Sequence, residues 1–587
     1  MLCVKLIPLD VVRGLDQHVG MSERHYNLFM SQPDFLPKPE GSVLPAFVLP
    51  PWQTSAWVVE TEPTEAAVWL AALPLADSVQ SAQQIYQALF TLNRMPLEAD
   101  DRLVLMELYR KPVAAVAAGL QSHFARLSLP LKPRLKQLAD FLCQLHMEMA
   151  HGYKHVLKAA LDERKPWESD AFLLALERAI RYLGEVLLRS YQVYMPAPPG
   201  VWKEIHGFYR YAEQHSQEHR LLVIDGLEEG TTVTRAYLQA LLLGLCGPYQ
   251  LPQNECHQVN AFLARWGQKA KIISAIQIVD PVGHFLIDFD ADHPAAPFPR
   301  DVSLQPASTL RALNAIELAR VAHDFSKRLQ KGESPRVLGL GFECVGAACV
   351  DSLKRMLRFW GHAGRRQYSR RHSLQPLSLC VGIHAVHFFC GGQRPFTPPH
   401  APVAISERAA EPPDLFALEA ESHDERPVTA PLPELFRIDS RWLVRDESAG
   451  GLSLARSGDV GIPVRVGDVI GIQNPVLNQW RIGAVRWVKS ADTKHVEMGV
   501  EMLAPHAHPL AVRPAGTDVV PYSQALLLPP IEALRQPATL LVARGTCQPG
   551  EDIEIADSES PSRRVRVLNV VERSSAFAQV VFADVAR

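Results

Sequence analysis

The chain has 587 residues, of which 47% are hydrophobic, and its formal net charge is −3 at pH 7. This length indicates several domains, and the apolar content excludes a predominantly disordered protein. The charge gives no overall attraction to nucleic acid or to an anionic membrane, so an anion-binding site has to be a local patch.

The cysteines and the apolar segments indicate the cellular compartment in which the protein works. Nine cysteines are scattered without paired spacing, which favours reduced, buried thiols over a disulfide framework. The apolar run in residues 1–12 is too short for the core of a signal peptide. The most apolar stretch, residues 236–247, is far shorter than a membrane span. We therefore expect a cytoplasmic protein without membrane insertion.

The first part of the chain is predicted to be mainly helical. Residues 1–60, rich in proline and tryptophan, indicate an extended arm. From about residue 64 the apolar residues follow a helical period. The clearest stripe lies on one helix face and comprises Leu131, Leu135, Leu138, Leu142, Leu145 and Met149. We predict a mainly helical region over 61–360, in one or two domains that join near the strand-like residues 270–290.

The last third of the chain has the alternation of β-strands. Apolar and polar residues alternate from Leu377 to Ala385, which predicts a half-buried strand. Residues 391–433 are rich in proline and acid, and indicate a solvated, disordered insertion. Beyond it the alternation resumes. We predict a small antiparallel β-barrel over 361–505, followed by a C-terminal β unit over 506–587. The whole is a multidomain α plus β protein.

Four arginines cluster just before the first predicted strand: Arg365, Arg366, Arg370 and Arg371. Arg366 and Arg370 have the spacing Arg-x-x-x-Arg. The guanidinium group is planar, always charged and able to donate two parallel hydrogen bonds. It therefore fits phosphate oxygens and the acceptor edge of guanine.

A second motif follows the insertion. Asp446, Ser448 and Gly451 have the form Asp-x-Ser-x-x-Gly. A short carboxylate and a hydroxyl suit the donor edge of guanine and local backbone capping. We expect the glycine to permit a tight turn, including one with positive φ.

Together the two motifs, with the later segments 480–488 and 498–502, resemble the PilZ domain family, which binds cyclic di-GMP. The resemblance covers roughly residues 365–505. It implies that Arg366 and Arg370 grip phosphates and guanines, and that Asp446, Ser448 and Gly451 complete the base pocket. Arg365 and Arg371 are included as neighbouring ligand-binding residues. The resemblance also implies a receptor without enzymatic activity, with cyclic di-GMP as ligand and no cofactor.

The insertion departs from the family pattern, in which little more than a hairpin separates the two motifs. If the strands on either side of it run antiparallel, the arginines and Asp446 still meet at one end of the sheet, with the insertion at the other end. A rival pair, Arg437 and Arg441, has the same spacing. At about 3.3 Å per strand residue, Arg437 lies up to roughly 30 Å from Asp446. We therefore favour Arg366 and Arg370.

Three other patterns are interpreted as structural. Strand parity and spacing argue against a zinc site at Cys380, His384, His387 and Cys390. The glycines at 339–346 lack the spacing of a dinucleotide fingerprint. Glu148, His151 and His155 are interpreted as a polar helix surface.

Two functions remain open. The first is a cyclic di-GMP receptor that passes ligand binding to a protein partner through the helical region. The second is a nucleic-acid-binding or chaperone-like scaffold that uses the basic segment 354–371. Contact with a phosphate backbone would not require Asp446 and Ser448, so these two residues favour the receptor.

Overall fold

The computed structural model falls into two compact units, residues 1–127 with 132–365 and residues 128–131 with 366–587. The residues that it describes are 47–53, 58–124, 127–163, 169–224, 227–275, 278, 280–298, 309–340, 347–361, 369–399, 436–458, 461–473, 479–516, 520–532, 535–557 and 562–585.

The first unit is mainly helical, as its sequence predicts. Its helices are α1 (Pro63–Ala71), α2 (Ser78–Leu92), α3 (Ala99–Leu120), α4 (Pro133–Asp162), α5 (Asp170–Gln192), α6 (Val201–Gln214), α7 (Val233–Leu245), α8 (Glu255–Trp266), α9 (Ile316–Gln330) and α10 (Ala347–Gly361). Side-chain caps start several of them: Asp77, Ser169 and Thr232 each accept a hydrogen bond from a backbone N–H of the first turn. Leu131 of the predicted stripe lies before α4, whereas Leu142, Leu145 and Met149 lie on the helix and are fully buried.

Short strands accompany these helices. A hairpin comprises β1 (Leu222–Ile224) and β2 (Leu227–Thr231), and a four-stranded sheet has the order β3-β6-β4-β5. The strands of this sheet are β3 (Lys271–Ser274), β4 (His284–Asp288), β5 (Ala296–Pro297) and β6 (Leu310–Asn314). Two of them, β3 and β4, account for the strand-like segment predicted at residues 270–290.

Two of the three polar residues near the end of the α4 stripe, Glu148 and His155, are buried, so their interpretation as a helix surface is wrong. The carboxylate of Glu148 lies 3.0 Å from the guanidinium of Arg94. It also accepts a hydrogen bond from Asn93 at 2.8 Å. His155 is buried too, with Nε2 2.9 Å from the carbonyl oxygen of Asn93. Burial is tolerated because each of these polar groups has a partner inside the unit.

The second unit contains two closed antiparallel barrels. The strands of the first are β8 (Pro376–Val381), β9 (Asp439–Ser448), β10 (Gly451–Ser457), β11 (Val469–Gln473), β12 (Trp480–Ser490) and β13 (His495–Ala504). Their order is β10-β13-β12-β11-β8-β9, and pairing of β9 with β10 closes the barrel. A short strand, β7 (Arg371–His372), pairs with the part of β9 that extends beyond its pairing with β8.

The predicted strand over 377–385 is too long. The strand ends at Val381, and α11 (Ile383–Cys390) follows after Gly382, whose φ of 93° breaks the extended conformation. Over so few residues, the alternation of a strand at 377–381 and the apolar face of a helix at 383–390 produce similar sequence patterns. Packing decides between them, because Ile383, Val386 and Phe389 enter a buried cluster.

The second barrel has the order β14-β15-β16-β19-β18-β17. Its strands are β14 (His508–Pro514), β15 (Ser523–Leu528), β16 (Thr539–Ala543), β17 (Asp552–Ala556), β18 (Arg563–Arg573) and β19 (Phe577–Asp584). One apolar cluster is shared by both barrels and α11. It joins Ile482 and Ala484 of the first barrel to Leu526, Leu541 and Phe577 of the second. The two barrels are therefore held together by a common core.

Cysteine chemistry differs from the expectation at one position. Cys349 is disulfide-bonded, although linear spacing shows no pair, because bridging depends on the distance between Cβ atoms in the fold. The free thiols among the described residues are Cys143, Cys246, Cys256, Cys380, Cys390 and Cys547. Over the described ranges, no helix has both the length and the apolar composition that crossing a bilayer requires.

Candidate functional site

The pairing of β7 with β9 brings the two predicted motifs together. Arg371 lies opposite Glu447 and His372 lies opposite Asp446 in this antiparallel register. The guanidinium of Arg370, one residue before β7, is 3.0 Å from the Asp446 carboxylate. The Arg370 side chain is 43% exposed and that of Asp446 is 17% exposed. The arginine is thus held by an acid while much of its donor surface still faces solvent.

The hairpin between β9 and β10 places Ser448 beside this pair. Ser448 lies directly opposite Gly451, and its hydroxyl donates a hydrogen bond of 3.2 Å to the Gly451 carbonyl oxygen. Asp446 and Ser448 are two residues apart on one strand, so their side chains leave the same face of the sheet. The acid and the hydroxyl are therefore presented together, next to Arg370.

Gly451 is needed for a different reason from the one expected. It is not among the residues with positive φ. A Cβ atom at Gly451 would lie 2.2 Å from the carbonyl oxygen of Val500, which belongs to the neighbouring strand β13. Glycine is required here because the backbones of β10 and β13 approach closely, and this contact sets the position of the hairpin that carries Ser448.

An aromatic side chain borders the same part of the barrel. The indole of Trp487 lies over Gly499, where an added Cβ would be 1.7 Å from the indole Nε1. Gly499 pairs with Ser453, and Ser453 pairs with Asp446. In the sequence, Trp487 is marked only as part of the strand-like segment 480–488. Its neighbours are revealed by the register of four strands, β12, β13, β10 and β9, which no linear pattern reports.

The remaining predicted ligand residues are placed as follows. Arg371 is exposed on β7. Arg365 and Arg366 lie outside the described residues, as does most of the predicted insertion, from residue 400 to residue 435. The structure therefore brings together Arg370, Asp446, Ser448 and Gly451, with Arg371 adjacent to them.

One arginine of the rival pair, Arg441, is engaged elsewhere. The Arg441 guanidinium lies 3.1 Å from the carboxylate of Asp439, and the buried Arg456 lies 3.0 Å from that same carboxylate. Arg441 is five residues from Asp446 on β9, a separation of roughly 17 Å along a strand. Ion pairing and distance both argue against a shared site with Asp446.

The cysteines and histidines of the rejected zinc pattern pack within the second unit. His387 Nε2 lies 3.2 Å from the carbonyl oxygen of Leu510, and His384 contacts Gln524 through a short hydrogen bond. Burial raises the pKa of the Cys390 thiol to about 11, so this sulfur is not a ready thiolate ligand. Across the described part of the chain, no three His, Cys, Asp or Glu side chains converge as metal ligands would.

On α10, part of the basic segment of the alternative function is used inside the first unit. Arg355 forms a bidentate ion pair with Glu255. Trp360 is fully buried and stacks on Phe262 with ring centroids 6.0 Å apart. Of the residues on α10, Lys354 and Arg358 present exposed charge. On this helix alone, two exposed cations are a small surface for binding a nucleic-acid backbone.

Models of known protein families match nearly the whole chain. Residues 64–276 match a family model described as the N-terminal domain of the Cyclic-di-GMP receptor FimW. Residues 284–412 and 419–509 match the model of its middle PilZ domain, and residues 510–585 match its C-terminal beta-barrel domain. The helical region, which lies outside the resemblance over residues 365–505, is thus matched as well.

A full-length relative shows the same correspondence. The Cyclic-di-GMP receptor FimW of Pseudomonas aeruginosa is 30% identical to this chain over 545 residues. The match covers 86% of this chain and 88% of the relative. The similarity therefore extends over all three matched domains and is not confined to the PilZ barrel.

Proposed function

Because this chain belongs to the family of the cyclic-di-GMP receptor FimW, we propose that it binds cyclic di-GMP on the outer face of its first barrel. It acts as a receptor, not as an enzyme, and works in the cytoplasm. The observation that carries the assignment of the site is the pairing of β7 with β9, which holds Arg370 3.0 Å from Asp446.

The ligand chemistry matches these side chains. A cyclic dinucleotide has two anionic phosphodiesters, and each guanine has an acceptor edge and a donor edge. Arg370 offers N–H donors to phosphate oxygens or to guanine O6 and N7, while the Asp446 carboxylate accepts from guanine N–H groups. Arg366 supplies the second guanidinium, and Arg365 and Arg371 add positive charge at the same edge. Ser448 and Gly451 shape the hairpin on which the base rests.

Equilibrium binding to a panel of nucleotides tests this function. We expect the full-length protein to bind cyclic di-GMP at least about tenfold more tightly than cyclic di-AMP, because adenine presents an N6 donor where guanine presents the O6 acceptor. Isothermal titration calorimetry with both ligands and with a short single-stranded RNA gives the comparison. Tighter binding of the RNA, with an affinity that falls steeply as salt increases, would instead support the nucleic-acid scaffold.

We further propose that the helical region passes ligand binding to a protein partner. Helix α10 ends at Gly361, and the segment 365–371, which holds the four arginines, begins four residues later in the sequence. A ligand can shift the arrangement of this segment if it binds one arrangement better than another, and arginines that close on a phosphate provide that difference. Movement of the segment acts on α10, and through it on the surface that a partner reads.

Hydrogen exchange with and without cyclic di-GMP measures this coupling. Protection is expected to increase at residues 446–451, where the ligand binds. Exchange is also expected to change in α10 and in at least one helical surface before residue 345. A change confined to the binding residues would mean that the barrel binds passively, and the proposed output through the helical region would be wrong.

A further inference from the structure

An irregularity in β9 lies next to the binding residues. The pairing with β10 passes from Ser453 opposite Asp446 to Leu454 opposite Val444, so Arg445 has no residue opposite it. This is a β-bulge, in which two residues of one strand face one position of its partner. The bulge is held on its other side, where the Ser373 N–H donates a hydrogen bond of 3.3 Å to the Arg445 carbonyl oxygen.

The bulge decides the direction of two side chains. Paired residues share a face, so Val444 points inward with the fully buried Leu454, and Asp446 points outward with the half-buried Ser453. In a regular strand, Val444 and Asp446 would share a face because they are two residues apart. The extra residue makes both Arg445 and Asp446 available to the outer face, where Asp446 is paired with Arg370.

The charged side chains on this face differ in whether they already have a partner. The Arg370 guanidinium is paired with Asp446. Arg445 is exposed, and among the described residues its guanidinium has no ion-pair or hydrogen-bond partner. Its five N–H donors therefore remain for an acceptor that arrives from solution.

We propose that Arg445 is a further ligand-binding residue, which donates paired hydrogen bonds to acceptor groups of the bound dinucleotide. These acceptors are either phosphate oxygens or O6 and N7 of guanine, both of which fit the guanidinium fork. The inference rests on the proposed function, since it assumes that the ligand occupies the face shared by Arg370 and Asp446. The residue lies outside both predicted motifs, although it directly precedes Asp446.

Calorimetric titration of the full-length protein with cyclic di-GMP tests the role of Arg445. We expect Arg445→Ala to weaken binding about tenfold, as loss of a charge-assisted hydrogen bond does. Arg437→Ala is the matched control, because it removes the same exposed charge near the start of β9 and should leave affinity within about twofold. Far-UV circular dichroism and the melting temperature verify that both variants fold, which is expected for exposed side chains.

Two further affinities distinguish the two possible acceptors: that of Arg445→Lys for cyclic di-GMP, and that of Arg445→Ala for cyclic di-AMP. If Arg445 contacts a phosphate, lysine retains most of the affinity because it keeps the point charge. If Arg445 reads the guanine edge, lysine loses most of the affinity, and the alanine variant loses part of its preference for cyclic di-GMP over cyclic di-AMP.

The outcomes separate this inference from the proposed function. Unchanged affinity in Arg445→Ala, together with weakened binding in Arg370→Ala, would overturn the role of Arg445 and leave the proposed site intact. Unchanged affinity in both variants would overturn the proposed site as well. If Arg437→Ala lost as much affinity for cyclic di-GMP as Arg445→Ala, the inference would also be contradicted. Equal losses would show that the net positive charge of the protein matters, and not a contact made by Arg445.

Discussion

Alanine at Arg366 and Arg370 together is expected to reduce the affinity for cyclic di-GMP about a hundredfold or more, with a loss of about tenfold from each single change. A hydrogen bond to a charged group contributes about 1.5–3 kcal/mol, and about 1.4 kcal/mol corresponds to a factor of ten. Loss of Arg370 has a second effect, because the Asp446 carboxylate 3.0 Å away would lose its counter-charge and repel the phosphates of the ligand.

Calorimetric titration with folded variants provides the measurement. Arg370 is 43% exposed, so its replacement should change the melting temperature little, and a loss of affinity then reports binding. Asp446→Asn is a useful companion, since it keeps the shape of the side chain but removes the charge that holds Arg370. If Arg437→Ala or Arg441→Ala were more damaging than Arg366→Ala and Arg370→Ala, the rival arginine pair would be the ligand-binding pair.

Phe577→Ala is expected to destabilise both barrels, although Phe577 belongs to the second. The side chain is fully buried in the cluster that also contains Ile482 and Ala484 of the first barrel. Truncation of a buried phenylalanine costs about 3–5 kcal/mol, through lost apolar burial and the cavity left behind. In a unit of this size the melting temperature should fall by roughly 6–20 °C, and the affinity for cyclic di-GMP should fall at temperatures where the first barrel begins to unfold.

Leu568→Ala is the matched control for this prediction. Leu568 is also a large apolar residue of the second barrel, but it is 54% exposed, so its truncation should change the melting temperature by only a few degrees. Thermal unfolding followed by circular dichroism, with and without ligand, gives the comparison. Two separate transitions in Phe577→Ala, with ligand still stabilising an unchanged first barrel, would contradict the common core.

Local patterns were sufficient for most of the secondary structure and for locating the two motifs of the candidate site. The apolar periods locate the helices of the first unit and most strands of the second, because side-chain direction repeats every 3.6 or 2 residues whatever the tertiary context. The order of the two motifs was also sufficient to indicate the PilZ family. The meeting of Arg370 with Asp446 followed from antiparallel pairing across a long insertion, since strands that run in opposite directions bring their far ends together.

Tertiary structure alone decided the features that depend on contacts between strands. Glycine is required at position 451 because a Cβ atom there would lie 2.2 Å from the carbonyl oxygen of Val500, a neighbour that is distant in sequence. That Arg445 and Asp446 both face outward depends on a bulge, which changes register without changing composition. The helix at Ile383–Cys390 exists because its apolar face fills a core shared by two barrels. In each case a residue's neighbours come from another strand, and the linear pattern reports only the residue's own face.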